Sequence, residues 1–202
     1  MKKILLVGLG CTLATAAMAQ TEKGARFIGA NVGDLSYSRG KQNFGNSRFS
    51  VSLYPSVGVF VANNFLLGAN LELGYSSVKS GNLSGDYSTR VLQYGVSPFA
   101  RYYLPGASAH RFFGQVSAGV LGQTAWYPNY YDGARQSSTN FAGRFGVAVG
   151  YNYFLTPGAA LEVVAGYGHN SSRNAFSSGA LDVRAGFSIF LPSKSTAAAP
   201  TE

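Results

Sequence analysis

The chain has 202 residues, of which 46% are hydrophobic, 14% aromatic and only 12% charged, against about 25% charged in an average soluble domain. Scarce charge with abundant aromatics excludes a disordered acidic or basic chain, and a single Cys excludes a disulfide scaffold or a zinc ribbon. The formal charge of +8 points to nucleic acid unless its placement along the chain argues otherwise.

Met1-Lys2-Lys3 is a basic start, Ile4 to Ala17 is free of charge, and Ala17-Met18-Ala19 has the small-x-small form of a cleavage site. Together they predict a secretory signal peptide over 1–19, too short and wrongly flanked for a stable anchor. A lipoprotein signal would put Cys11 first in the mature chain, but Gly8 stands where a Leu-like residue is needed. Processing after Ala19 would remove Lys2, Lys3 and Cys11 and lower the charge from +8 to +6. Thiol chemistry leaves with that cysteine.

From there apolar residues recur at alternate positions, which marks strands with two chemically different faces. A first strand runs from about Arg26 to Leu35, with Ile28, Ala30 and Val32 on its apolar face. Phe49, Val51, Leu53, Val57 and Val59 mark the second, and Phe65, Leu67, Leu71, Leu73 and Tyr75 the third. Leu92, Tyr94, Val96 and Tyr102 mark the fourth, and Phe112, Val116, Val120 and Trp126 the fifth. The sixth carries Phe141, Phe145, Val147, Val149, Tyr151 and Tyr153, and the seventh Leu161, Val163, Ala165 and Tyr167. Leu181, Val183, Ala185, Phe187, Ile189 and Leu191 complete the eighth. Tight turns near 62–64, 105–110 and 156–158 alternate with longer polar loops near 37–47, 77–88, 128–139 and 169–178. Residues 192–202 read as a short disordered tail, so the barrel is expected over 20–191.

An even number of strands with short turns at one end and long loops at the other describes an all-β, eight-stranded antiparallel up-and-down transmembrane β-barrel. A soluble barrel is the competing architecture. Eight strands leave an interior only wide enough for side chains, and the Gly, Ser, Ala and Asn face fits it while the Leu, Val and Phe face does not. The bulky face must then point outward, as a belt larger than soluble monomers tolerate. Phe65, Tyr102, Phe112 and Tyr153 flank that belt beside the short turns, and Phe49, Tyr75, Trp126, Phe141 and Tyr167 flank it beside the loops. Two aromatic girdles are what two bilayer interfaces select.

On these residues the chain resembles the small eight-stranded outer-membrane β-barrel family of the OmpX and OmpA type. The last strand, Arg184-Ala185-Gly186-Phe187-Ser188-Ile189-Phe190-Leu191, resembles the family's C-terminal assembly signal, although family members usually end on the aromatic itself. The resemblance implies a bacterial outer-membrane location, recognition by the outer-membrane assembly machinery, and both termini on the periplasmic side. Its members have many functions, so it does not select one.

The inward face carries Glu72, Arg101, Arg144, Glu162, Asp182 and Arg184, three of each sign. In a narrow lumen they are expected to pair between neighbouring strands, Glu72 with Arg101 and Arg144 with Glu162, because an isolated buried ion costs several kcal/mol. Inward Phe60, Phe99, Tyr103, Phe113, Phe154 and Phe190 gather at the short-turn end, and small residues line the loop end. A plugged, non-conducting lumen follows as the expectation.

Arg39, Lys41, Arg48, Lys79, Arg90, Arg135 and Arg173 sit in or beside the expected loops, against Asp86 and Asp132. They are candidate contacts for glycolipid phosphates; nucleic acid is not expected, because no basic groove remains once the strands are embedded. Tyr127-Pro128-Asn129-Tyr130-Tyr131-Asp132-Gly133 suits adaptable recognition of an extracellular protein. The expected role is therefore structural or surface interaction, by a monomer without cofactor or metal, with a small-solute porin as the alternative. His169 and Ser171 resemble the His-x-Ser of outer-membrane lipid A deacylases, but Ser172 replaces that family's Asn and the next strand's Asp182 should face the lumen. No enzyme is expected.

Overall fold

A computed structural model of the chain describes residues 21–40, 46–82, 85–106, 108–129, 134–171 and 178–193. The expected signal segment and all of the expected tail after Ser193 lie outside the described residues.

Eight strands run in chain order: β1 (Arg26–Gly40), β2 (Asn46–Ala62), β3 (Phe65–Asn82), β4 (Gly85–Tyr103), β5 (His110–Pro128), β6 (Arg135–Thr156), β7 (Ala159–Ser171) and β8 (Ser178–Leu191). Each pairs antiparallel with its sequence neighbours, and β1 pairs with β8 to close the ring. The closing ladder runs from Arg26↔Leu191 to Gly33↔Arg184. Beyond it β1 bulges between Gly33 and Ser36, and Asp34 takes a left-handed φ of 51° there, a conformation Asp tolerates better than most residues.

Side-chain burial follows the alternation. Phe27, Phe60, Leu66, Tyr103 and Phe190 are buried in the lumen, while their neighbours Ile28, Val59, Leu67, Tyr102 and Ile189 are exposed on the outside. Exposed Leu, Val, Ile and Phe run around the whole circumference, which is stable only with hydrocarbon as solvent, where the closed ladder also satisfies every backbone group internally. The short-turn girdle presents Tyr102, Phe112 and Tyr153 outward, and the other presents Phe49, Tyr75, Trp126, Phe141 and Tyr167.

The ladders reach much further at the loop end than the apolar pattern does. β3 and β4 stay paired to Asn82↔Gly85, and β5 and β6 to Pro128↔Arg135. Most of the loop expected near 77–88, and half of that near 128–139, is therefore strand. Outside the bilayer both faces of a hairpin meet water, so Ser76, Ser77, Lys79 and Ser80 lose the apolar alternation while their backbones keep the ladder.

Candidate functional site

All six inward charges face the lumen, but their partners differ from those expected. Arg101 on β4 meets Glu162 on β7 across the barrel: Nη1 donates to Oε2 at 2.7 Å and Nη2 to Oε1 at 3.3 Å. These side chains are 2% and 0% exposed. Glu72 on β3 meets Arg144 on β6, with Nε 3.2 Å from Oε2. Asp182 and Arg184, both on β8, approach to 2.7 Å as an ion pair without the alignment of a hydrogen bond.

Register explains why the neighbouring-strand pairs do not form. Arg101 lies opposite Leu66, six residues along β3 from Glu72, and six residues of strand span about 20 Å. Glu162 lies opposite Asn152, eight residues along β6 from Arg144, or about 26 Å. Strands that neighbour one another in sequence therefore deliver their charges to opposite ends of the lumen. Strands three apart deliver them to one level.

The Arg101–Glu162 pair is satisfied on nearly every side. Glu162 accepts further hydrogen bonds from Asn31 Nδ2 at 2.8 Å, Asn152 Nδ2 at 3.2 Å and Ser188 Oγ at 2.8 Å. Arg101 donates Nε to Gln115 Oε1 at 2.8 Å and Nη1 to the Tyr103 hydroxyl at 3.0 Å. Its guanidinium carbon lies 3.9 Å from the Phe113 ring centroid and 4.9 Å from that of Phe27, a desolvated cation–π arrangement. Buried ion pairs are tolerated only when their remaining donors and acceptors are largely filled, and four of the five Arg101 N–H donors are used here.

Aromatic rings fill the short-turn end beside this pair. Phe154 and Phe190 have centroids 4.9 Å apart, Tyr103 and Phe113 5.2 Å, and Phe27 and Phe190 5.4 Å. Glycine makes the room: a Cβ on Gly150 would clash with the edge of the Phe113 ring. At the short-turn rim Arg111 donates to Gly106 O at 2.7 Å and to Asn64 Oδ1 at 2.6 Å. The same Asn64 oxygen accepts from Thr21 Oγ1 at 2.9 Å, so the segment before β1 is tied to the β2–β3 turn.

The loop end is looser and wetter. Glu72 and Arg144 are 12% and 19% exposed. Arg184 lies over the Tyr54 ring at 4.6 Å, and the Tyr54 hydroxyl donates to Asp34 Oδ2 at 3.2 Å. A cavity between these groups, lined also by Asn70, Ser97 and Ser117, measures about 30 Å³. That is room for about one or two water molecules, and the plug lies below it.

Residues that sequence reasoning left out of this network are Asn31, Tyr54, Gln115, Asn152 and Ser188. Their signal was present, because each is a polar residue or a tyrosine at an inward position between lipid-facing neighbours. Counting only formal charges passed over them.

Five of the seven candidate rim cations lie on strands and not in loops; Lys41 and Arg173 lie outside the described residues. Alternation turns Arg39, Lys79, Arg90 and Arg135 outward, while Arg48 shares the inward parity of Ser50 and Ser52. All five side chains are exposed. Arg90 lies opposite Trp126 and Arg135 opposite Pro128, so these two bracket one stretch of β5. Much of the Tyr-rich segment, 130–133, lies outside the described residues, and Tyr127 and Pro128 close β5 instead. Ser171 ends β7 opposite Gly143, and His169 lies opposite Phe145 and Gly179. Asp182 is held in the lumen by Arg184, so it is not placed to orient His169. No group of His, Cys, Asp and Glu that could hold a metal occurs among the described residues.

Solved structures supply the comparison. The chain superposes on the outer membrane protein OprG of Pseudomonas aeruginosa with a TM-score of 0.54 at 13% identity, covering 87% of this chain and 100% of that one. It superposes on Ail, the attachment invasion locus protein of Yersinia pestis, with a TM-score of 0.52 at 10% identity, covering 84% and 99%. The fold is that of the small outer-membrane β-barrels. No protein-family model and no curated protein matches the sequence.

Proposed function

We propose that this protein is a closed, monomeric outer-membrane barrel that acts through its exterior surface and not through its lumen. The observation that carries this reading is the Arg101–Glu162 pair, almost fully buried and hydrogen-bonded across the barrel with aromatic rings packed beside it. Such a plug stabilises the wall and leaves no aqueous path. The signal segment 1–19 directs export, and the last strand through Leu191 is presented to the outer-membrane assembly machinery. The short turns then face the periplasm and the long hairpins face outward.

Two kinds of partner suit the exterior. The outward cations face the level of lipid phosphates, where guanidinium and ammonium groups pair with anionic oxygens. The hairpin between β5 and β6, rich in Tyr and Asn, suits contact with an extracellular protein, as the attachment role in Ail's name suggests for this fold. The competing reading is a porin for small solutes. Liposomes carrying the purified barrel separate the two: no sugar-sized solute should enter faster than into empty liposomes. Swelling that depends on the protein would replace the surface reading with the porin.

A further inference from the structure

We propose that the outward face of β3–β6 at the loop end is a binding site for one phosphorylated glycolipid of the outer leaflet; this rests on the outer-membrane reading above. A groove of about 500 Å³ lies there, walled by Tyr75, Arg90, Trp126, Pro128 and Arg135, with Ser88 and Tyr127 at its margin. It is far larger than the lumen cavity of about 30 Å³.

Alternation shows that the groove is a feature of the lipid face. Tyr75 shares parity with Leu71 and Leu73, Arg90 with Leu92, and Trp126 with Val120 and Val116, all of them exposed outward. Register then sets the chemistry across the wall. Arg90 stands beside Trp126, and Arg135 beside Pro128. The two guanidiniums come from strands two apart, about 10 Å between backbones, on either side of an aromatic floor.

Charge, ring surface and apolar continuation agree on one occupant. No carboxylate lines the groove among its described residues, and neither arginine is in an ion pair there. Two unpaired guanidiniums match phosphate oxygens, which they bind bidentately. The faces of Trp126 and Tyr75 attract the polarised C–H groups of a sugar ring, a feature a glycerophospholipid headgroup lacks. Ser88 Oγ is shielded and has no hydrogen-bond partner, so one side-chain rotation makes it available to a ligand oxygen. Toward the bilayer centre, outward Leu92, Val96 and Val120 continue the wall as a track for acyl chains.

Native mass spectrometry of the full barrel, released from nanodiscs of defined composition, tests this. Nanodiscs carry bisphosphorylated lipid A, its dephosphorylated form or phosphatidylglycerol, and heat-modified gel mobility confirms that each variant is folded. The wild type should retain one bisphosphorylated lipid A. Arg90→Gln with Arg135→Gln should lower that retention about tenfold or more, through lost charge-assisted hydrogen bonds. Trp126→Ala should lower it less, and Arg26→Gln, exposed at the short-turn end of β1, should leave it unchanged. Undiminished retention by the folded double variant would overturn the site while leaving glycolipid contact elsewhere on the rim intact. Equal retention of phosphatidylglycerol would overturn the sugar-specific assignment. Retention of no lipid by the wild type would overturn both the site and the broader glycolipid reading.

Discussion

Arg101 and Glu162 at the short-turn end, and Glu72 and Arg144 toward the loops, are the same pair of residue types placed in different surroundings. The first pair is 2% and 0% exposed, and five hydrogen bonds beyond the pair's own satisfy its donors and acceptors. The second is 12% and 19% exposed and borders a polar cavity. Attraction between charges is strong only where solvent is excluded, and exclusion here is the work of the aromatic rings of Phe27, Phe99, Tyr103 and Phe113. The plug is therefore a property of the packing that surrounds the ions. Charge complementarity alone would have produced two equal locks.

Glu162→Ala should give the largest effect, since it strands Arg101 and three polar side chains. A loss of about 3–5 kcal/mol is expected, read by urea unfolding of the barrel in lipid vesicles. A loss below about 1 kcal/mol would show that the short-turn end is not a distinct, dry region. Replacing both ions, Arg101→Met with Glu162→Met, should recover part of that loss and not all of it, because Asn31, Asn152 and Ser188 remain without the carboxylate. Gly150→Val should cost about 1–3 kcal/mol in the same assay by pushing on the Phe113 ring. Glu72→Gln should be smallest, at or below about 1 kcal/mol, and 1 M salt should shrink it further. An equal cost for Glu72→Gln and Glu162→Ala would erase the distinction between the two ends.

Much of the architecture was legible along the chain because a strand's alternation is local. The parity of Leu53, Leu67 or Val147 assigned its face without knowledge of any partner, and the aromatics at strand ends marked both interfaces. Pairing inside the lumen was not legible in the same way. Which charge meets which depends on the stagger between strands, and that stagger accumulates around the ring. It carries Arg101 past Glu72 to a residue of β7 that no spacing rule would nominate. The outer hairpins escaped for the opposite reason: beyond the bilayer both faces are polar, so strand and loop look alike in composition. The groove between Arg90 and Arg135 needed both pieces of knowledge, the continued ladder and its register.

The central claim is a lumen closed by the Arg101–Glu162 plug, and single-channel recording across a planar bilayer tests it most directly. The purified barrel should insert without producing a steady conductance at any modest voltage of either sign. A stable, ohmic channel from the correctly folded wild-type protein would contradict it.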